Sequence, residues 1–187
     1  MRRTITTALV VALIALMVPL VAAGDTLSVP LGDFAYIAGE IREHTVGRPV
    51  AKLAVPARVM RSRIDFVKLE LPAFLDNTVK KPVTVEVYDC MTGWERGRVS
   101  WTTPWREPGG DLDSICQARF TCLPGDDHPV VLDITETVRS WQKGRGQHGL
   151  FLKRPDKEGG GFKTEGLRLH EALSSARVKF YFTQMQE

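Results

Sequence analysis

Long charge runs, paired histidines and cysteine clusters are all missing from this 187-residue chain. Without a basic tail or a block of like charge there is no electrostatic footprint for nucleic acid. The four histidines, His44, His128, His148 and His170, are scattered. Neither a His-Glu-x-x-His pair nor a Gly-x-Ser-x-Gly elbow occurs, so two common hydrolase devices have no support. There are only three cysteines, Cys90, Cys116 and Cys122, and no pair has zinc-site spacing. Glycoside hydrolysis needs two carboxylates at a set separation. The aspartates of "GDLD" and "GDD" lie in Gly-rich stretches, where turn chemistry accounts for them. A lyase or hydrolase is therefore the weakest class, and the chain reads as non-catalytic.

One long apolar run is present, at the start: "MRRTITTALVVALIALMVPLVAAGD". Arg2 and Arg3 precede the run from Ala8 to Val21, and Ala22 and Ala23 follow it. This is the pattern of a secretory signal peptide over residues 1–23, with cleavage after Ala23 and a domain over 24–187. No second apolar span follows, so a soluble, secreted or cell-surface protein is expected. Two of the three net positive charges sit in Arg2 and Arg3, so residues 24–187 are nearly neutral. Export permits disulfides. Cys116 and Cys122, flanking a short loop in "CQARFTC", are the first candidate pair, and Cys90 with either is the alternative. One thiol is left over in every case.

Gly, Pro, Asn or Asp interrupts residues 24–187 every eight to twelve positions, with short alternating runs between. "VKLEL", "VTVEVYD", "VVLDI" and "ARVKFYF" each place apolar residues at alternate positions, as half-buried strands do. "FAYIAG" and "AKLAVPA" are weaker strands. "DNTVKKP", "EPGGDLD", "LPGDDHP" and "RPDKEGGG" read as turns or loops, and no repeat or linker divides the domain. Regularly spaced strands of this kind predict an all-β fold, an antiparallel β-sandwich or jelly roll.

"LDITETVRSWQKG" breaks the pattern. Asp133 reads as an N-cap with Glu136 completing a capping box, and Gly144 as the stop. Ile134, Val138 and Trp141 fall on one face, predicting a short helix near residues 134–142. So short a helix does not persist alone in water. It needs burial, so Trp141 is expected to plug an open end of the sandwich.

The order of these motifs resembles the DNRLRE-domain family. The matching positions are Trp94 and Glu95, Val99 to Trp101, Pro104, Asp133 to Thr135, Val138, Trp141, Gly144, Gly149 and Leu150, Phe162, Thr164 and Glu165. They cover about Arg63 to Phe182. The helix segment also resembles TGF-beta propeptides. The resemblance implies a jelly roll, found in secreted or surface proteins beside polysaccharide-degrading enzymes, with some members binding acidic polysaccharides such as alginate. The propeptide likeness suits a structural component that docks a cell-surface or matrix protein.

Sugar binding needs flat aromatic faces, and acidic sugars add a need for cations. Tyr88, Trp105, Arg168 and His170 are the candidates. Tyr88 alternates away from Val83, Val85 and Val87, and Arg168 and His170 alternate away from Leu167 and Leu169. Trp94 and Trp101 read as core. No cofactor is expected, although Asp111, Asp113, Asp126 and Asp127 are candidate calcium ligands outside any EF-hand pattern.

Overall fold

A computed structural model describes residues 24–41, 44–75, 78–162 and 168–185. The signal-like segment 1–23, together with Thr164, Glu165 and Leu167, lies outside them. Nine strands run in the order β1 (Asp25–Pro30), β2 (Phe34–Ile41), β3 (His44–Ala51), β4 (Arg63–Leu71), β5 (Val83–Cys90), β6 (Leu112–Cys122), β7 (Val130–Asp133), β8 (Leu150–Lys153) and β9 (Arg177–Thr183). Among the described residues, three short α-helices interrupt them, α1 (Ala57–Met60), α2 (Thr135–Gln142) and α3 (Leu169–Ser175), along with one 3-10 turn, Asp156–Glu158.

All strand pairs are antiparallel and form two sheets, β1-β9-β4-β7 and β2-β3-β8-β5-β6. With β2 set aside as the outer arm of the β2–β3 hairpin, the remaining eight strands fall in the orders 1-8-3-6 and 2-7-4-5. That is the interleaving of a jelly roll. The alternating runs explain the main core. Val67, Leu69 and Leu71 of β4 face Val83, Val85 and Val87 of β5, with Leu150 and Leu152 of β8 and Val178, Phe180 and Phe182 of β9. All of them are buried.

A second core lies on the other face of the five-stranded sheet. Phe151 alternates away from Leu150 and Leu152, pairs with Tyr88 of β5 and Val50 of β3, and is fully buried. Residues 91–111, connecting β5 to β6, fold over this face. They bring Trp94 and Trp105 against Ile37, Val50, Cys90 and Phe151, with Val99 and Trp101 partly buried alongside. The five-stranded sheet is therefore covered on both sides. An antiparallel sheet with one solvated face, the arrangement assumed from the alternation, is not what forms here.

α2 spans the gap between the sheets. Ile134, Val138 and Trp141 are all buried, as the spacing predicts. On one side Arg139 donates to the Ile64 carbonyl and Gln142 to those of Met60 and Ser62. On the other, Trp141 Nε1 donates to Asp89 of β5. The capping box does not form, because Ile134 occupies the cap position and Glu136 pairs with Arg139. Asp133 instead accepts from the backbone N–H of Thr135 at 2.9 Å, and Thr135 Oγ1 accepts from Val67 N–H. Gly144 ends the helix with φ +95°, and Arg145 N–H bonds back to Ser140 and Gly144 N–H to Trp141. These two bonds make a Schellman close.

Three further expectations are corrected. "CQARFTC" is not a loop but part of β6, so Cys116 and Cys122 lie six residues apart on one extended strand. At ~3.4 Å per residue they are far beyond disulfide reach. All three cysteines are free thiols. The strand-like alternation at Arg168 and His170 does not form a strand: Arg168 precedes α3 and His170 lies within it, since burial of Leu169, Ala172 and Leu173 selects the helical period. "AKLAVPA" leaves the sheet after Ala51. β1 carries no strong alternation and is placed by pairing with β9.

Candidate functional site

The sugar-site residues expected from alternation are not assembled into one surface. Trp105 is buried, not outward: its ring meets Phe151 edge-on at 5.1 Å and its Nε1 donates to the Ser100 carbonyl. Tyr88 is half-buried. Its hydroxyl donates to Glu86 at 3.0 Å, and Lys153 Nζ stands 5.2 Å from its ring centre. Burial, then the bond to Glu86, pushes the Tyr88 phenol well above its usual range. Glu86 is itself buried and also accepts from Arg119, while Lys153 pairs with Asp156. This cluster satisfies its own charges and reads as a structural clasp on the sheet. Arg168 and His170 are exposed near a different edge, where the His170 ring packs against Phe34.

The candidate calcium ligands also separate. Asp111 is buried and anchors residues 91–111, accepting from Thr92 Oγ1 and from the N–H groups of Arg106 and Glu107. Burial pushes its carboxyl up, but these hydrogen bonds and the Arg106 charge outweigh burial and hold it below the usual range. Asp113 pairs with Arg145 at 2.7 Å. Asp126, Asp127 and His128 do cluster, with one ligand atom of each within 4.8 Å of the others. All three are exposed, and Asp126 already accepts from the His128 backbone N–H and contacts its ring nitrogen.

A cleft that the alternation did not point to is built where β3 ends and residues 91–111 begin. Lys52, Gly93, Trp94, Glu95, Arg98, Thr103 and Pro104 line a volume of about 500 Å³. That lies within the size range of small-molecule sites. Trp94, almost fully buried, lies beneath it. Its Nε1 donates to the His148 carbonyl at 2.9 Å, which fixes the ring, and Lys52 Nζ lies 4.9 Å from the ring centre. Arg98 pairs with Glu95 at 3.1 Å, and both side chains are largely exposed. The cleft thus offers two cations, one carboxylate, one hydroxyl and the apolar ring of Pro104, with Trp94 beneath. Trp94 belongs to the second core and to this cleft together. Its core assignment holds; its place under a cleft depends on Lys52, forty-two positions earlier in the chain.

Residues 91–111 are tied to the sheet by a residue that sequence reading missed. Arg48 on β3 donates to the Gly160 carbonyl at 2.7 Å and the Gly109 carbonyl at 2.9 Å, and its guanidinium lies 5.1 Å from the Trp101 ring centre. Trp101 is therefore only half-buried, not full core. Its ring lies flat on Gly39, where a Cβ would sit 2.1 Å from Trp101 Cγ.

Compared with known proteins, the chain matches no family model and no curated protein.

Proposed function

We propose that the protein is an exported, non-catalytic β-sandwich module that binds polysaccharide, with acidic glycans as its ligand class. The observation that carries this reading is the Lys52–Trp94–Arg98 cleft. A pyranose has an apolar face and a hydroxyl-bearing edge. Pro104 suits the former; Thr103 Oγ1 and the Glu95 carboxylate suit the latter. A uronate carboxylate adds a charge that Lys52 and Arg98 can meet, and charge-assisted hydrogen bonds are stronger than neutral ones. The motif order resembling DNRLRE domains supports the same ligand class, and the amino-terminal pattern supports export. A glycan-array screen that includes alginate and pectin at low and moderate salt tests the reading. Retention of uronate-containing polymers that falls with salt is expected; a blank array overturns it.

A second reading, a structural component docking a cell-surface or matrix protein, is favoured by one observation. β6 is the outermost strand of its sheet and, at eleven residues, the longest strand. Ile115 on it, Leu123 just after it and Val131 on β7 are each more than half exposed. Exposed strand edges are templates for partner binding. A stable stoichiometric complex with a surface or matrix protein, lost on Ile115→Lys, is the outcome expected from this second reading.

A further inference from the structure

Lys52 and Arg96 share a state that most cations of this fold do not. Lys52 Nζ lies 4.9 Å from the Trp94 ring centre, and the Arg96 guanidinium carbon 5.7 Å from that of Phe34. Neither charged group has an ion pair or a hydrogen bond among the described residues. By contrast Arg63, Arg98, Arg119, Arg139 and Arg145 each meet a carboxylate. A cation on an aromatic ring is positioned by it while its N–H donors stay available. The two cation–ring pairs are neighbours. Phe34 pairs with Ala51, the residue before Lys52, and Trp94 precedes Arg96 by two positions. Lys52 N–H donates to the Asp33 carbonyl at 2.7 Å, which closes the same sheet end. Phe34 packs towards the main core and Trp94 belongs to the second, so the pairs stand on opposite faces of that end. His170 of α3 also rests on Phe34, with ring centres 5.0 Å apart, and stays exposed. The carboxylates nearest in the chain, Asp33 and Glu171, are exposed and pair with neither cation.

We infer that the cleft is one part of a longer site, continued by Arg96, Phe34 and His170, and that its ligand is an acidic oligosaccharide with carboxylates on at least two sugar residues. This rests on the glycan reading and narrows it to a chain. A single uronate can meet Lys52 or Arg96 but, with the sheet end between them, not both. A chain that crosses the sheet end places a second carboxylate at Arg96 once the first is held at Lys52, so the second contact is intramolecular. The planar guanidinium edge of Arg96 matches a carboxylate in two-point fashion. The exposed His170 ring adds a flat face, which the cleft lacks because Trp94 is buried beneath it.

The test is a calorimetric titration of the purified protein with dimers and hexamers of galacturonate and of mannuronate. For the uronate that binds, the hexamer is expected to bind at least twentyfold tighter than the dimer, more than the extra registers of a longer chain supply. Arg96→Ala, at an exposed position, is expected to weaken hexamer binding at least fivefold and to narrow that ratio. Lys52→Ala is expected to weaken dimer and hexamer alike. Should Arg96→Ala not fold, His170→Ala, also exposed, is expected to weaken hexamer binding at least twofold. A smaller ratio, or hexamer binding indifferent to a folded Arg96→Ala or to His170→Ala, overturns the inference and leaves the cleft reading standing. Binding of no dimer and no hexamer overturns the glycan reading, and the inference with it.

Discussion

Trp141 does three things at once: it fills the gap between the sheets, donates its N–H to Asp89 and anchors the last turn of a helix too short to stand alone. Trp141→Ala removes the volume and one hydrogen-bond donor to the buried Asp89 carboxylate. A loss of about 3–5 kcal/mol in chemical denaturation is expected, and a loss below about 1 kcal/mol would contradict the plug role. Asp89 itself is 1% exposed. Burial pushes its carboxyl up to about 6, against the bond from Trp141 and the Arg145 guanidinium 3.4 Å away, with Asp113 on the far side of that arginine. A folded-state value above the unfolded ~3.9 favours the protonated form in the fold. The stabilisation linked to this group is complete below about pH 4 and lost as pH rises through about 6. The Asp89→Asn variant should remove that component, so the stability difference between wild type and variant should change across this window. A difference that is flat between pH 4 and 7 would contradict the assignment. His128 is pushed up by its bond and charge contact with Asp126, but it is common to both proteins and cancels in the difference.

Among elements, the least regular one matters most to the surface. Residues 91–111 contain no strand, yet they bury Trp94 and Trp105 against the sheet and wall the cleft. Arg48 and Gly39 are their main attachments on β3 and β2. Arg48→Ala or Gly39→Ala should raise hydrogen exchange within 91–111 while Val178, Phe180 and Phe182 stay protected. Equal loss of protection in both regions would mean that the two cores are a single cooperative unit. β6 supplies a different test. With Cys116 and Cys122 on one strand, thiol titration of the unfolded protein should find three free cysteines, and a reductant should leave thermal stability unchanged. Fewer than three would contradict the strand assignment. Alternation made β4, β5 and β9 legible in the sequence because one face of each lies in the main core. It failed for Tyr88 and Trp105, because period-two spacing separates two faces without saying that the second is also covered. It failed for Arg168 and His170 because a short apolar alternation across a helix start resembles a strand. β6 carried two cysteines that drew attention to loop closure, and its mixed exposure as an edge strand left no clear apolar face.

At the scale of the whole molecule, the antiparallel sandwich was legible from strand spacing, but the strand order and the cleft were not. A cleft made by Lys52 and residues 93–104 joins positions that only the fold brings together. Trp94 was read as core and is buried; that it also underlies a cleft depends on Lys52, which only the fold brings over its ring. The two sheets act as a rigid support: β3 carries Arg48 and leads into Lys52, β5 leads into Trp94, and their positions follow from main-core burial. Affinity for an acidic glycan should therefore depend on a few charges at the cleft and little on the Tyr88–Lys153 clasp. The measurement that bears most directly on this is a calorimetric titration of the purified protein with a short oligouronate at low and moderate salt, repeated with Lys52→Ala/Arg98→Ala. Saturable binding that weakens with salt and falls at least tenfold in the double variant, with unchanged thermal stability, is the predicted result. Binding indifferent to the double substitution, or no binding by the wild-type protein, would contradict the account.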